Sequence, residues 1–378
     1  MKEVQVNFDR ALQKVARGDT LSATEIISLL SAGPGEADRL FAVAREIRER
    51  HFGSRVFLYG FIYFSTWCKN NCTFCYYRVT NPASRRYRKN REEVLEAASQ
   101  LAGSGVHLID LTMGEDPQIF SRGREGFEEL PGLVAKVKKT TGLPVMVSPG
   151  VVPDGVMEDL SLAGADWYAC YQETHNRDLF GRLRPNQDYD SRFQKKFLAR
   201  RLGLLVEEGI LTGVGESPAD AAFSMGQMRS LGAQQVRVMG FVPQRGTPME
   251  GWESPPRARE MNIIAVLRLL FPDRLIPASL DVDGIGGLQE RLLAGANVVT
   301  SLIPPSRGLA GVSRDSLDIE DGRRTVAGVL PVLAELGLEA AGLEEYRSWV
   351  ESEKERLALL AGGITDEGGH CRRKTAGG

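Results

Sequence analysis

Val56-Phe57-Leu58-Tyr59-Gly60-Phe61-Ile62-Tyr63-Phe64-Ser65, followed by Thr66-Trp67-Cys68-Lys69-Asn70-Asn71-Cys72-Thr73-Phe74-Cys75-Tyr76-Tyr77, is the stretch on which the fold turns. Its first half is a short apolar run that reads as a strand. Three cysteines in C-x3-C-x2-C spacing follow the strand directly. In an α/β barrel the loop after a strand opens on the mouth where active sites are built.

Working outward, the same rhythm repeats. Apolar runs at Val56–Ser65, Val106–Thr112, Pro144–Ser148, Asp166–Gln172, Ile210–Val214, Gln235–Phe241, Leu275–Leu280 and Asn297–Ile303 read as strands. Between them lie helical stretches at Arg91–Gly103, Leu130–Thr140, Val156–Gly164, Phe193–Glu208, Pro218–Leu231, Pro256–Leu270 and Leu288–Ala294, with a last one near Glu320–Leu336. Alternating strands and helices imply a parallel sheet, and this number of them predicts a (β/α)8 TIM-type barrel rather than an open doubly wound sheet. Polar residues at the strand tips favour closure: Asp110, Thr112 and Glu115, Ser148, Glu173, Glu216, Arg237, Ser279 and Asp281, Thr300 and Ser301 would converge on one mouth. Residues 1–52 read as an N-terminal helical cap, with Ser22 and Glu25 spaced as a capping box. The barrel is expected over 53–340. A C-terminal helix and tail fill 341–378, and the Gly-rich, charged stretch from Ala361 is expected to be disordered.

The chain has 378 residues, 42% hydrophobic and 25% charged, with a formal net charge of −2. That is ordinary for a globular protein and gives no sign of a nucleic-acid or anionic-membrane partner. No apolar run reaches the ~18 residues of a membrane span. The start, Met1-Lys2-Glu3-Val4, lacks the apolar core of a signal peptide, so a cytoplasmic location is expected. There are five cysteines, Cys68, Cys72, Cys75, Cys170 and Cys371. An odd number, with three packed together, suits a metal site in a reducing compartment better than a disulfide framework.

Three thiolates can bind three irons of a cubane and leave the fourth iron free to chelate a small molecule. A structural zinc site would want a fourth Cys or His in a second pair. Cys170 stands alone and reads as a core residue. His51, His107 and His175 lack ligand spacing, and His370-Cys371 lies in the tail.

With the cysteine loop at the end of the first strand, the chain resembles the radical S-adenosylmethionine (SAM) superfamily. It is most similar to the subgroup that contains biotin synthase and a hydrogenase-maturation enzyme. Tyr171-Gln172-Glu173-Thr174-His175-Asn176, Leu183-Arg184-Pro185 and Arg192 carry this likeness. It implies a [4Fe–4S] cluster on Cys68, Cys72 and Cys75, with Phe74 shielding it. Glu173 is implied at the SAM ribose or amine and Arg192 at the SAM carboxylate, as a guanidinium suits. Tyr77, Ser148 and Arg184 join the SAM-binding set, and Gly213 and Gly215 resemble the glycine segment beside SAM.

Within the subgroup, Gly105–Asp116, Val145–Gly150, Ala278–Asp281 and Gly295–Ser301 resemble a branch of carbon-skeleton mutases that act on L-lysine in pyrrolysine biosynthesis. The resemblance implies isomerisation to (3R)-3-methyl-D-ornithine by hydrogen abstraction with a 5′-deoxyadenosyl radical, Cα–Cβ fragmentation and recombination. Such a substrate needs a cation for its carboxylate, for which Arg237 is the candidate. Its ammonium groups need carboxylates or hydroxyls, for which Asp110, Ser279 and Asp281 fit, with Thr300 and Ser301 as further lining. Asp283 and Glu115 stand as supporting residues. Tyr63, Tyr77 and Phe241 are candidates for an apolar wall. An electron donor such as flavodoxin or ferredoxin is implied. Two alternatives stay open: a related radical SAM enzyme with another small substrate, and a non-enzymatic iron–sulfur scaffold.

Overall fold

The computed structural model describes residues 2–304, 307, 309, 311 and 323–366. The strands are β1 (Arg55–Ser65), β2 (Leu108–Met113), β3 (Val145–Ser148), β4 (Trp167–Ala169), β5 (Leu205–Thr212), β6 (Gln235–Gly240), β7 (Pro277–Ser279), β8 (Val298–Leu302) and β9 (Glu339–Ala340). The first eight run in the order β6-β5-β4-β3-β2-β1-β8-β7, and every pairing is parallel. The ring closes at one point. Val236 N–H donates to Leu275 O at 3.0 Å, and Leu275 N–H to Gln234 O at 3.1 Å. The result is the expected barrel, nearly closed, with helices outside.

β1 is buried from Val56 to Ser65 and β5 along its whole length. Such burial follows from helices covering the outer face while side chains fill the inner one. The outer core holds Leu58, Ile62, Ile109, Val147, Val206 and Val238 under the helices. The inner core holds Phe57, Tyr59, Leu108, Met146, Trp167 and Leu205. Successive residues thus alternate between the two, as the pleat requires.

The second half of the barrel differs from the sequence expectation at one place. β5 begins at Leu205, not Ile210, and the preceding helix ends at Arg201 rather than Glu208. Glu207 and Glu208 look like the solvated face of a helix in sequence. In the structure both are fully buried and ion-paired, Glu207 with Arg237 and Glu208 with Lys196.

Three N-terminal helices span Lys2–Arg17, Ala23–Leu30 and Pro34–Phe52. The capping box forms as read: Glu25 N–H donates to Ser22 Oγ and Ser22 N–H to Glu25 Oε2. These helices lean on the outer layer. Arg48 donates to Leu292 O at 2.8 Å, and Asn262 to Ala32 O at 3.0 Å.

The floor of the barrel is closed by the C-terminal segment. β9 pairs with the start of β1, and the helix Leu343–Asp366 follows. Tyr346 Oη donates to Tyr59 Oη at 2.8 Å, Trp349 stacks on Trp167 at 5.9 Å, and Lys354 pairs with Asp166 at 2.5 Å. This helix continues through Asp366, five residues beyond Ala361, where the tail expected to be disordered begins. His370 and Cys371 lie outside the described residues, as does the start of the helix expected at Glu320, which the structure gives as Val326–Glu335.

Candidate active site

The strand tips surround a cavity of about 1150 Å³, counting the space open to solvent at its mouth. Its lining includes Cys68, Cys72, Phe74, Cys75, Tyr77, Asp110, Ser148, Glu173, Arg184, Arg192, Arg237 and Asp281. Residues up to 220 positions apart in sequence therefore share one hollow (Phe61 to Asp281).

The cysteine loop is held by its backbone. Lys69 N–H donates to Glu115 O, Thr73 N–H to Leu183 O and Val79 N–H to Asn70 O, at 2.8–2.9 Å. Arg86 donates to Thr66 O, Tyr77 O and Arg78 O, stapling the two ends of the loop together. Gly114 lets β2 pass close behind it: a Cβ there would meet Trp67 O at 2.3 Å. Cys72 Sγ accepts from Gln187 Nε2 at 3.1 Å and lies 3.4 Å from Arg184 Nη1. Burial pushes the Cys68 thiol up to about 11, and Cys75 higher still. Thiolates here need a metal's positive charge beside them, which a cluster supplies. Among the described residues no three His, Cys, Asp or Glu side chains are placed to share one metal ion. In a cubane each cysteine binds its own iron, so the three sulfurs stand apart around it.

Opposite the loop, Glu173 has φ +67° and is buried. Its Oε1 accepts from Arg184 Nη2 at 2.6 Å, and its Oε2 has no hydrogen-bond partner. Burial raises its pKa, against the lowering pull of Arg184 and Arg192. Arg192 Nε donates to Tyr171 O at 2.8 Å, and its Nη1 lies 3.4 Å from Glu115 Oε1. Phe74 carries the Arg184 guanidinium 5.3 Å from its ring centre. The arrangement offers one spare carboxylate oxygen and a guanidinium next to the thiols.

Deeper groups form two charged sets. In the first, Arg237 Nε donates to Glu207 Oε1 at 2.6 Å, Tyr171 Oη donates to Glu207 Oε2 at 2.7 Å, and Arg237 Nη2 is unpartnered. Asp110 Oδ1 accepts from Ser148 Oγ at 2.8 Å, while its Oδ2 is unpartnered. In the second, the Asp281 carboxylate accepts from Tyr63 Oη at 2.9 Å, Ser301 Oγ at 2.8 Å and Arg324 Nη2 at 2.7 Å. Buried polar atoms are rarely left without partners, so free positions on Asp110, Glu173 and Arg237 in one hollow fit charged ligands.

Not every sequence candidate reaches the cavity wall. Gly213 and Gly215 lie outside its lining. Gly213 has φ +91°, and a Cβ there would meet Pro255 at 2.6 Å. Ser279 accepts from Asp281 N–H at 3.3 Å, and Ser301 acts on the same carboxylate; both stand behind Asp281. Thr300 is buried with its Oγ1 unpartnered. Asp283 pairs with Arg257 and Arg291 away from the hollow. Cys170, read as a core residue, is buried and also borders the cavity. The sequence reading missed Glu207 and Arg324. Both are buried charges whose partners, Arg237 and Asp281, lie 30 and 43 residues away in sequence, and no local motif marks them.

Asp110 has a measurable signature. Burial, together with Glu207, pushes its pKa up to about 8, against Ser148 and Arg237. A carboxyl whose folded pKa lies above its unfolded value, ~3.9, binds more protons when folded. Its contribution to stability therefore falls as pH rises from about 4 to 8. Asp110→Asn removes that dependence. The melting temperature of the variant minus that of the wild type should climb across this interval and level off above it. A pH-independent difference would contradict the assignment.

A parallel barrel with a three-cysteine loop at the tip of β1 and a charged, buried hollow defines the class, and the radical SAM superfamily profile matches residues 62–223. Membership implies a [4Fe–4S] cluster and SAM. The chain is 43% identical over 343 residues to a 3-methylornithine synthase of Methanosarcina acetivorans, covering 90% of this chain and 97% of that one. The crystal structure of a methylornithine synthase superposes with a TM-score of 0.84 at 42% identity, covering 89% of this chain and 99% of the other. A hydrogenase maturase subunit, HydE of Thermotoga maritima, is 30% identical over 285 residues, 75% of this chain and 79% of that one. The chain belongs to the methylornithine synthase family of radical SAM enzymes.

Proposed function

We propose that the chain isomerises L-lysine to (3R)-3-methyl-D-ornithine, the first step of pyrrolysine biosynthesis. The observation that carries this reading is the shared hollow. It joins three thiols, a spare Glu173 oxygen beside Arg192, and the unpartnered Asp110 and Arg237 atoms near Asp281. A [4Fe–4S] cluster held by these thiols would, once reduced, supply the electron that cleaves SAM, and the 5′-deoxyadenosyl radical released from SAM would exchange hydrogen with the substrate.

Cys68, Cys72 and Cys75 hold the cluster, with Gln187 and Arg184 donating toward Cys72. Glu173 takes the SAM ribose or amine, Arg192 its carboxylate, and Phe74, Tyr77, Ser148 and Arg184 complete the enclosure. On the lysine side, Arg237 offers Nη2 to the α-carboxylate. Asp110 and Asp281 take the ammonium groups, with Ser279, Thr300 and Ser301 supporting them. Glu207 keeps Arg237 from being an isolated buried charge, and Arg324 does the same for Asp281. Fragmentation and recombination require two small pieces to stay together, so the walls must keep out water. Tyr63, Tyr77 and Phe241 are buried around this space. A low-potential protein such as flavodoxin or ferredoxin is the proposed electron source, and the reducing cytoplasm the setting. No helix among the described residues is long and apolar enough to cross a membrane.

The test is anaerobic: reconstituted protein, dithionite, SAM and 13C-labelled L-lysine, with products read by NMR and mass spectrometry. The expected product is a rearranged isomer of unchanged mass. SAM cleavage with lysine left intact would remove the substrate assignment and keep the radical chemistry.

A further inference from the structure

β4 ends at Ala169, and the next residues leave the sheet before Glu173 adopts its left-handed φ. A non-glycine residue holds that conformation only when its surroundings fix it. Glu173 itself is tied back to β5 by its backbone, its N–H donating to Gly209 O at 3.0 Å and its O accepting from Leu211 N–H at 2.9 Å, and side chains hold the residues before it. Lys196 Nζ donates to Cys170 O at 3.1 Å, Arg192 Nε to Tyr171 O at 2.8 Å, and Gln172 N–H to Glu208 Oε1 at 2.8 Å.

Lys196 and Glu208 are both fully buried. Besides Cys170 O, the Lys196 ammonium meets Glu208 Oε2 and Gln172 Oε1, so three acceptors match its three protons. Gln172 in turn donates through Nε2 to Tyr189 O at 2.9 Å. Lys196 lies one turn beyond Arg192 on the helix Tyr189–Arg201, so the two project from one face. That helix therefore presents Arg192 to the cavity and anchors the Glu173 segment from behind. His175 completes the wall: its Nδ1 is 2.8 Å from Tyr189 Oη, and its Nε2 is 3.7 Å from Glu208 Oε2. Burial lowers its pKa to about 4, so it is neutral there. An apolar pair of similar volume often matches a buried ion pair in stability. What it could not do is hold Cys170 O and Gln172 N–H.

We infer that Lys196 and Glu208 are positioning residues for SAM, fixing residues 170–173 so that the Glu173 carboxylate and the Arg192 guanidinium face the cavity together. This rests on Glu173 being a SAM contact, as read above. Neither residue borders the cavity, so both act through the backbone.

The experiment measures SAM affinity of anaerobically reconstituted protein from the change in the reduced cluster's EPR spectrum, with melting of the same samples followed by circular dichroism. Glu173→Gln tests the underlying reading, and unchanged SAM affinity there would remove it independently. Lys196→Met with Glu208→Leu deletes both charges and both backbone anchors. SAM affinity should fall about 10–100-fold, as when the outer partners of ligand groups are removed. Lys196→Met with Glu208→Gln keeps an acceptor for Gln172 N–H but not the donor to Cys170 O, and should recover only part of that loss. Gln172→Leu leaves the ion pair and both backbone anchors in place, removes only the side-chain bonds to Lys196 and Tyr189 O, and should weaken SAM binding by less than the apolar pair does; Lys196→Met with Glu208→Gln carries the test if the apolar pair does not fold. If Glu173→Gln weakens SAM while the folded variants at 172, 196 and 208 bind it with the wild-type constant, the pair is structural and the inference is wrong.

Discussion

Cys72→Ala will bind little iron and sulfide after reconstitution and will produce no 5′-deoxyadenosine from SAM. Cys72 is the most buried of the three loop cysteines, and its sulfur has both Gln187 and Arg184 directed at it. Two remaining thiols cannot hold three irons of a cubane. The fold should tolerate the change, because the substitution removes a single sulfur at a cavity wall and the loop is held by backbone bonds and by Arg86. The variant should therefore melt close to the wild type measured without its cluster. Iron analysis, EPR and product assay decide it together: a full cluster with undiminished SAM cleavage would move the cluster elsewhere.

Asp281→Asn should lose turnover without losing SAM cleavage capacity. Truncating one member of a buried charge pair costs about 2–5 kcal/mol, or roughly 30-fold to several thousand-fold at ~1.4 kcal/mol per decade. Two effects combine here. On the proposed assignment a lysine ammonium loses its carboxylate, and Arg324, itself buried, loses its counter-charge. The second effect should lower the melting temperature by several degrees. Asp281→Asn with Arg324→Met separates them, since removing both charges should restore melting and leave methylornithine formation depressed. If stability and turnover both return in the double variant, Asp281 serves the barrel and not the substrate.

How much of this was legible beforehand depended on whether a residue's partners lie close in sequence. The cysteine loop, the strand rhythm and the Ser22–Glu25 cap are local patterns, and the structure reproduces them. The start of β5 is not, because two adjacent glutamates mimic a solvated helix face until Arg237 and Lys196 are brought to them. Arg324, just before the helix Val326–Glu335, is legible only once it has been brought to Asp281, 43 residues away. Gly213 shows the converse. It is read only through its resemblance to a glycine segment beside SAM, and the structure adds a local reason for glycine: φ is +91° and a Cβ would meet Pro255 at 2.6 Å.

The helix Leu343–Asp366 has a consequence for traffic. With Tyr346 bonded to Tyr59 and Trp349 laid on Trp167, the barrel is a cup and not a tube. Lysine, SAM, methylornithine and spent nucleoside must all pass the same rim. Loading and emptying then become a queue: a product still inside delays the next substrate, and a molecule that lodges at the rim stops entry and exit at once.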